Sequence, residues 1–214
     1  MYSVIPLYLP FKKNSFEIGP LIRPLILLYL ITLKASLKQS DIYFFDFKEE
    51  SLKKRNDWEY KISTIRDNVP GFEFERIEKM AYAAGPGSYT GARLAFTFLD
   101  TLNLIINKKF YAFSNLAALQ HNHPNRVAIM KGSKNDYFYR HNDIDYYCET
   151  LDQIPQHTDY VVLRNDQLKL DNMIELNCEV ISKNILDLVM RSENKALSSN
   201  YPNYIKELNY VKSR

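Results

Sequence analysis

Glycine is scarce in this chain, at six residues among 214. That scarcity excludes a collagen-like or glycine-repeat architecture. Cysteine is scarcer still: Cys148 and Cys178 are the two present, with no C-x-x-C pair. Such usage excludes a disulfide framework and a cysteine zinc site, and reads as reduced thiols in a cytoplasmic protein. Neither sign of charge is in excess. The 28 Lys and Arg stand against 25 Asp and Glu, and the net +3 is too small to argue for nucleic-acid binding by itself. Long apolar runs are also missing. The best candidate, PLILLYLITL at 24–33, lies between Arg23 and Lys34 and is about half of the ~20 residues that a bilayer span needs. No basic stretch precedes it and no small-residue cleavage site follows, so neither a membrane segment nor a signal peptide is expected.

Aromatic residues, by contrast, are plentiful. Sixteen Tyr, twelve Phe and one Trp in a chain that is 46% hydrophobic supply a core for one domain or two small lobes. Three of the six glycines fall in one segment, Gly85-Pro86-Gly87-Ser88-Tyr89-Thr90-Gly91. A short apolar run, Met80 to Ala84, reads as a buried strand before it, and residues 90–106 read as a helix after it. Strand, glycine turn and helix aim backbone N–H groups and a helix N-terminus at one spot, which suits an anion. The spacing G-x-G-x-x-x-G is one residue longer than the dinucleotide fingerprint, and no lysine follows as a P-loop would require. A tight turn with no ligand fits the same residues.

The helix over 90–106 carries a narrow polar stripe of Arg93, Thr97, Asp100 and Asn103, with Asn107 just beyond. Almost every other position is apolar. A surface helix of a monomer needs one apolar face, and this one has enough for two. Part of it is therefore expected to pack on another chain, the competing arrangement being a helix sandwiched within its own domain. Elsewhere Val4 to Phe11 and Ile42 to Phe47 read as strands, 25–33 as strand or helix, and Leu52 to Asn68 as a helix stopped by Pro70-Gly71. Phe110 to Phe113 is a short strand, and Ser114 caps a helix over 115–120. Strands are expected over 126–130, 136–140 and 160–163, with a helix over 181–190. Strands alternating with helices predict an α/β fold.

At the glycine turn the sequence resembles a known family. GPGSYTGARLA at 85–95 is similar to the GPGS-[FY]-TG-[LI]-R segment of the TsaB, or YeaZ-type, proteins. The similarity runs from 72 to about 120, and YPNYIK at 201–206 resembles the closing P-x-Y-[LI]-R of that family. The resemblance implies an actin-like ATPase (ribonuclease H-like) fold, with an N-terminal lobe over 1–108 and a reduced C-terminal lobe over 109–214, residues 1–24 being an extension in one register. It also implies a function. Family members are non-catalytic partners of the TsaD-type enzyme that makes threonylcarbamoyladenosine at tRNA position 37, in complexes that include a TsaE-type ATPase, with TsaC-type proteins completing the pathway. On that basis Arg93, Leu94, Phe98, Leu102 and Ile105 are candidate interface residues, and Gly85, Pro86, Gly87, Ser88, Tyr89, Thr90 and Gly91 are candidates for an anion or nucleotide contact. A homodimer in the absence of the partner, ATP or ADP at the shared interface, and tRNA reached through the assembled complex are further expectations.

Two departures from the family stand out. Its opening strand carries Asp-Thr-Ser, where this chain has Leu7-Tyr8-Leu9 if the first strand is 4–11, or Thr32-Leu33-Lys34 if it is 26–33. The Asp-Ala-[RK] expected after the 126–130 strand is replaced near Lys131-Gly132-Ser133. Both weaken a claim of autonomous ATP hydrolysis, which would mark the rival class, a stand-alone actin-like ATPase or small-molecule kinase. No metal site is expected. His121, His123, His141 and His157 include no pair one helical turn apart, and His121-Asn122-His123 reads as a solvated loop pair. Ser88 lies outside any G-x-S-x-G elbow, so no catalytic residue is assigned. Lys12-Lys13, Lys53-Lys54-Arg55 and Lys108-Lys109 read as solvated basic faces.

Overall fold

The computed structural model describes residues 27–33, 40–46, 73–77, 79–87, 89–132, 135–156, 158–177 and 179–206. The strand expected at 4–11 and the helix expected at 52–68 lie outside them.

Two strands open the described chain, β1 (Leu27–Leu33) and β2 (Ser40–Asp46), paired antiparallel with Leu27 opposite Asp46 and Leu33 opposite Ser40. The run at 25–33, open between strand and helix in the sequence, is thus a strand over 27–33. Strands β3 (Met80–Ala83) and β4 (Phe110–Phe113) pair parallel, and β1 runs beside β3. The crossover from β3 to β4 is α1 (Tyr89–Ile106), and a short helix, α2 (Asn115–Gln120), follows β4. The boundary expected at 108/109 thus falls between two strands that share a sheet. The second sheet holds β5 (Val127–Lys131), β6 (Tyr137–His141), β7 (Ile144–Cys148), β8 (Tyr160–Leu163) and β9 (Met173–Leu176) in the order β7-β6-β5-β8-β9. Pairing is antiparallel on the β6–β7 side and parallel on the β8–β9 side. Helix α3 (Glu179–Arg191) packs on α2 and β3.

Strands β3 and β8 are buried at all four positions, the pattern of parallel strands covered on both faces. Alternation divides their side chains between cores. Met80, Tyr82, Phe110 and Ala112 face α1, joined by Ala95, Leu99 and Leu102. Ala81, Ala83 and Phe113 point the other way and meet Ala128, Met130, Val161 and Leu163 of the second sheet, with Leu116, Leu119, Ile181, Ile185 and Leu188 from α2 and α3 between them. One continuous apolar layer therefore joins the two sheets. Val127, Ile129, Tyr160 and Val162 fill a third cluster on the outer face of the second sheet.

His121 is not the solvated residue expected from the loop sequence. Its Nε2 lies 2.8 Å from Asp187 Oδ2, tying the end of α2 to α3. Among the described residues no helix is long and apolar enough to cross a membrane, and no group of three His, Cys, Asp or Glu side chains is placed to hold a metal ion.

Candidate functional site

The glycine turn connects the buried β3 to α1, and three neighbouring segments hold it. Ala84 N donates to Phe113 O at 2.8 Å, extending the β3–β4 ladder by one residue. Asn115, at the start of α2, grips the turn twice: its backbone N–H donates to Gly85 O at 2.8 Å and its Nδ2 to Pro86 O at 2.7 Å. From far along the sequence, Asn203 N donates to Ala84 O at 2.8 Å. The Gly85-Pro86 peptide is cis, and Gly85 sits at φ +118°, a conformation that L side chains rarely adopt. A Cβ there would also lie 2.9 Å from Asn203 O.

Gly85 and Pro86 are buried, Gly87 is exposed, and Gly91 is buried within α1. Tyr89 and Thr90 open the helix, and Ser88 lies outside the described residues. The carbonyls of Gly85 and Pro86 are both engaged by Asn115. Among the described residues, Asn115 Oδ1 is a buried polar atom with no hydrogen-bond partner. Its amide orientation is fixed by the bond from Nδ2 to Pro86 O, because a reversed amide would set oxygen against oxygen. The unmatched group is an acceptor, which calls for a donor and not for a phosphate oxygen.

Beyond the turn, α1 sorts the candidate interface residues. Arg93 and Ile105 are exposed, and Leu94 and Phe98 are half-buried. Leu102 corrects the expectation: at 6% exposure it points into the chain's own core with Ala95 and Leu99, because one face of the helix covers β3 and β4. The surplus apolar surface is instead at the C-terminal end, where Leu104 is 80% and Ile105 is 70% exposed.

Two sets of contacts go beyond the sequence reading. One is a buried polar tie between the halves. Ser114 Oγ accepts from Leu116 N and Ala117 N as the cap of α2 and donates to Asp145 Oδ2 on β7, and Asp145 Oδ1 in turn accepts from Arg140 Nη1 at 2.5 Å. The other is the closing segment. Leu197 N donates to Ala112 O at 2.8 Å, Asn200 Nδ2 to Phe110 O at 2.8 Å, and Tyr82 Oη to Asn200 O at 2.5 Å. Burial pushes the Tyr82 hydroxyl well above its ordinary pKa, so it stays a donor. After Asn203 the chain reaches the second sheet, where Lys206 Nζ pairs with Asp136 Oδ2 and lies 4.6 Å from the Tyr147 ring centroid. That carboxylate, above all, raises the Lys206 pKa. Nearby, Asp166 Oδ2 accepts from Lys131 N at 2.9 Å, and burial lifts its carboxyl to about 6. The signal for the closing segment is present in the P-x-Y-[LI]-R resemblance, which carries no hint of what it touches.

Residues 68–193 match the family described as "TsaD: tRNA N6-adenosine threonylcarbamoyltransferase". No curated protein matches significantly by sequence. Among solved structures, the chain is similar to an uncharacterized protein from Pseudomonas aeruginosa with similarity to peptidase YEAZ. Their TM-score is 0.52 at 12% identity, over 80% of this chain and 91% of that one. It is equally similar to YeaZ from Pseudomonas aeruginosa, with a TM-score of 0.52 at 11% identity, over 79% of this chain and 91% of the other. Likeness at that identity shows the fold, which is the actin-like, ribonuclease H-like α/β arrangement.

Proposed function

This chain belongs to the TsaD family, and we propose that within it the chain is a TsaB-type subunit: a non-catalytic scaffold that heterodimerises with a TsaD-type threonylcarbamoyltransferase and activates it. The observation that carries the reading is the exposed apolar end of α1. Leu104 and Ile105 are left at 80% and 70% exposure on a helix whose opposite face already fills the core. Large apolar side chains grouped on one surface mark a protein contact more often than a solvated face. Half-buried Leu94 and Phe98 and exposed Arg93 extend that face toward the glycine turn.

The chemistry of the chain agrees with a supporting role. No histidine pair sits one turn apart to ligate a metal, and the strand β1 offers Thr32-Leu33 where the family carries Asp-Thr-Ser. On this reading a nucleotide belongs to the interface with the partner, a TsaE-type ATPase joins the assembly, and tRNA meets the complex and not this chain alone.

The test is association. The purified chain is mixed with the TsaD homologue of the same cell and the mass of the complex is measured, for wild type and for Ile105→Asp. Wild type is expected to form a heterodimer, and the variant to remain folded and lose it, since a charge buried in an apolar interface costs several kcal/mol. Magnesium-dependent ATP turnover by the chain alone, with no association, would overturn the proposal in favour of a stand-alone enzyme.

A further inference from the structure

We propose that the closing segment from Leu197 to Lys206 is a latch that fixes the glycine turn, and with it the start of α1, to the second sheet, with the Lys206–Asp136 pair as its bolt. The latch rests on the partner-binding reading of α1 for its purpose, though its mechanics stand on the contacts alone.

Its course explains the placement. Leu197 and Asn200 bond to the carbonyls of Ala112 and Phe110, so the segment lies along β4. Tyr201 stacks on Phe96 of α1 with ring centroids 4.8 Å apart. Asn203 then donates to Ala84 O while its own carbonyl covers Gly85. Three residues later Lys206 leaves the first sheet and meets Asp136 and Tyr147 on the second. One short segment thus touches the strand before the turn, the turn, the helix after it and the opposite half.

The bolt joins a buried carboxylate to a part-exposed ammonium. Asp136 is buried, and its carbonyl oxygen accepts from Gly132 N at 2.6 Å. Any Cβ on Gly132 would overlap the Asp136 carboxylate, so a bare Cα is the space in which that carboxylate sits. Burying a carboxylate costs less with a cation beside it, and Lys206 supplies one. Residues 202–206 have no helix or strand of their own, and Asn203 at the turn and Lys206 at the recess are two of the points that hold their path. Releasing Lys206 removes its tie to the second sheet, and the Asn203 bond to Ala84 loses that support.

Hydrogen exchange of the full chain tests this. Lys206→Met keeps the aliphatic stem and removes the charge. It is expected to raise exchange about tenfold at Asn203 and also at Ala84 and Asn115, whose amides donate to Phe113 O and Gly85 O on either side of the turn, as local opening of one cooperative unit does. Amides in the middle of α3 are expected to stay unchanged, and Lys206→Arg to behave as wild type. A rise confined to Asn203, no rise at all in a folded variant, or an equal rise in α3 would each overturn the latch, the last because the pair would then be a plain contribution to global stability. In parallel, Lys206→Met should weaken association with the TsaD-type partner about tenfold. Wild type that fails to associate strikes the partner reading and leaves the exchange result for the latch intact.

Discussion

Gly85 and Asn203, far apart in the chain, share one space: the Cα of the first lies against the carbonyl oxygen of the second so closely that a Cβ would stand 2.9 Å from it. Gly85→Ala therefore meets two obstacles, the contact and the positive φ of +118°. Either costs of order 1–3 kcal/mol. The variant should lose about 2–4 kcal/mol in chemical denaturation. A loss under about 0.5 kcal/mol would mean the turn can move away from the closing segment.

Leu102 and Ile105 are nearly one turn apart and should respond oppositely to the same substitution. Leu102→Asp buries a carboxylate among Ala95, Leu99 and Phe110, and is expected to cost at least about 3 kcal/mol and leave little folded protein. Ile105→Asp, on an exposed position, should change stability by about 0.5 kcal/mol or less and act on association alone. Melting curves paired with complex mass separate the two. A stable Leu102→Asp variant that loses the partner would contradict the inward placement.

Asp145 bridges Ser114 and Arg140, so its removal takes the acceptor from the Ser114 hydroxyl and leaves the half-buried Arg140 guanidinium with the exposed Asp143, 3.3 Å from Nη2. Asp145→Ala should destabilise by about 2–4 kcal/mol. A double-mutant cycle with Ser114→Ala should show coupling of at least about 0.5 kcal/mol, as residues in one hydrogen-bonded network do. Additive single effects would dissolve the tie between α2 and β7.

The carboxyl of Asp166 gives a pH prediction. Burial raises it from 3.8 to about 6, so the folded protein binds the proton more tightly than the unfolded chain does. Its contribution is present in full below about pH 4 and is lost as pH rises through about 6. Asp166→Asn keeps an oxygen for Lys131 N–H and removes the titration. The variant should gain on wild type between about pH 4 and 7 by up to about 3 kcal/mol, an upper figure for a shift of this size. Unfolding free energies measured across that range decide it, and parallel curves would refute the burial argument.

The legible parts of the fold are those with local causes. Buried strands at 80–83, 110–113 and 160–163 announce themselves as short apolar runs, and Ser114 before an apolar helix is a cap by chemistry. Strand β7 escapes such a reading because IDYYC alternates weakly, yet Asn142 and Asp143 before it both take positive φ, and a two-residue turn of that kind joins adjacent strands. Strand β9 likewise follows Asn172 at φ +54°. At the site, the glycine turn is readable because only glycine fits there. Leu102 is misplaced for a different reason: on a helix apolar nearly all round, periodicity does not say which face meets the sheet. Asn203, Lys206 and Asp145 act across thirty or more residues of sequence, and local pattern carries no record of such partners.

The bond from Tyr82 to Asn200 spans 118 residues, and its neighbours from Leu197 and Asn203 also reach back past the whole second sheet. During synthesis the strands of the first sheet emerge early, but the residues that seal their edge leave the ribosome only after the whole second sheet has been made. Such long closures are slow, and the half-made sheet exposes apolar strands in the meantime. The half of the molecule made first is thus the half completed last, and a messenger cut short before Leu197 would leave the opening half, not the closing one, unfinished.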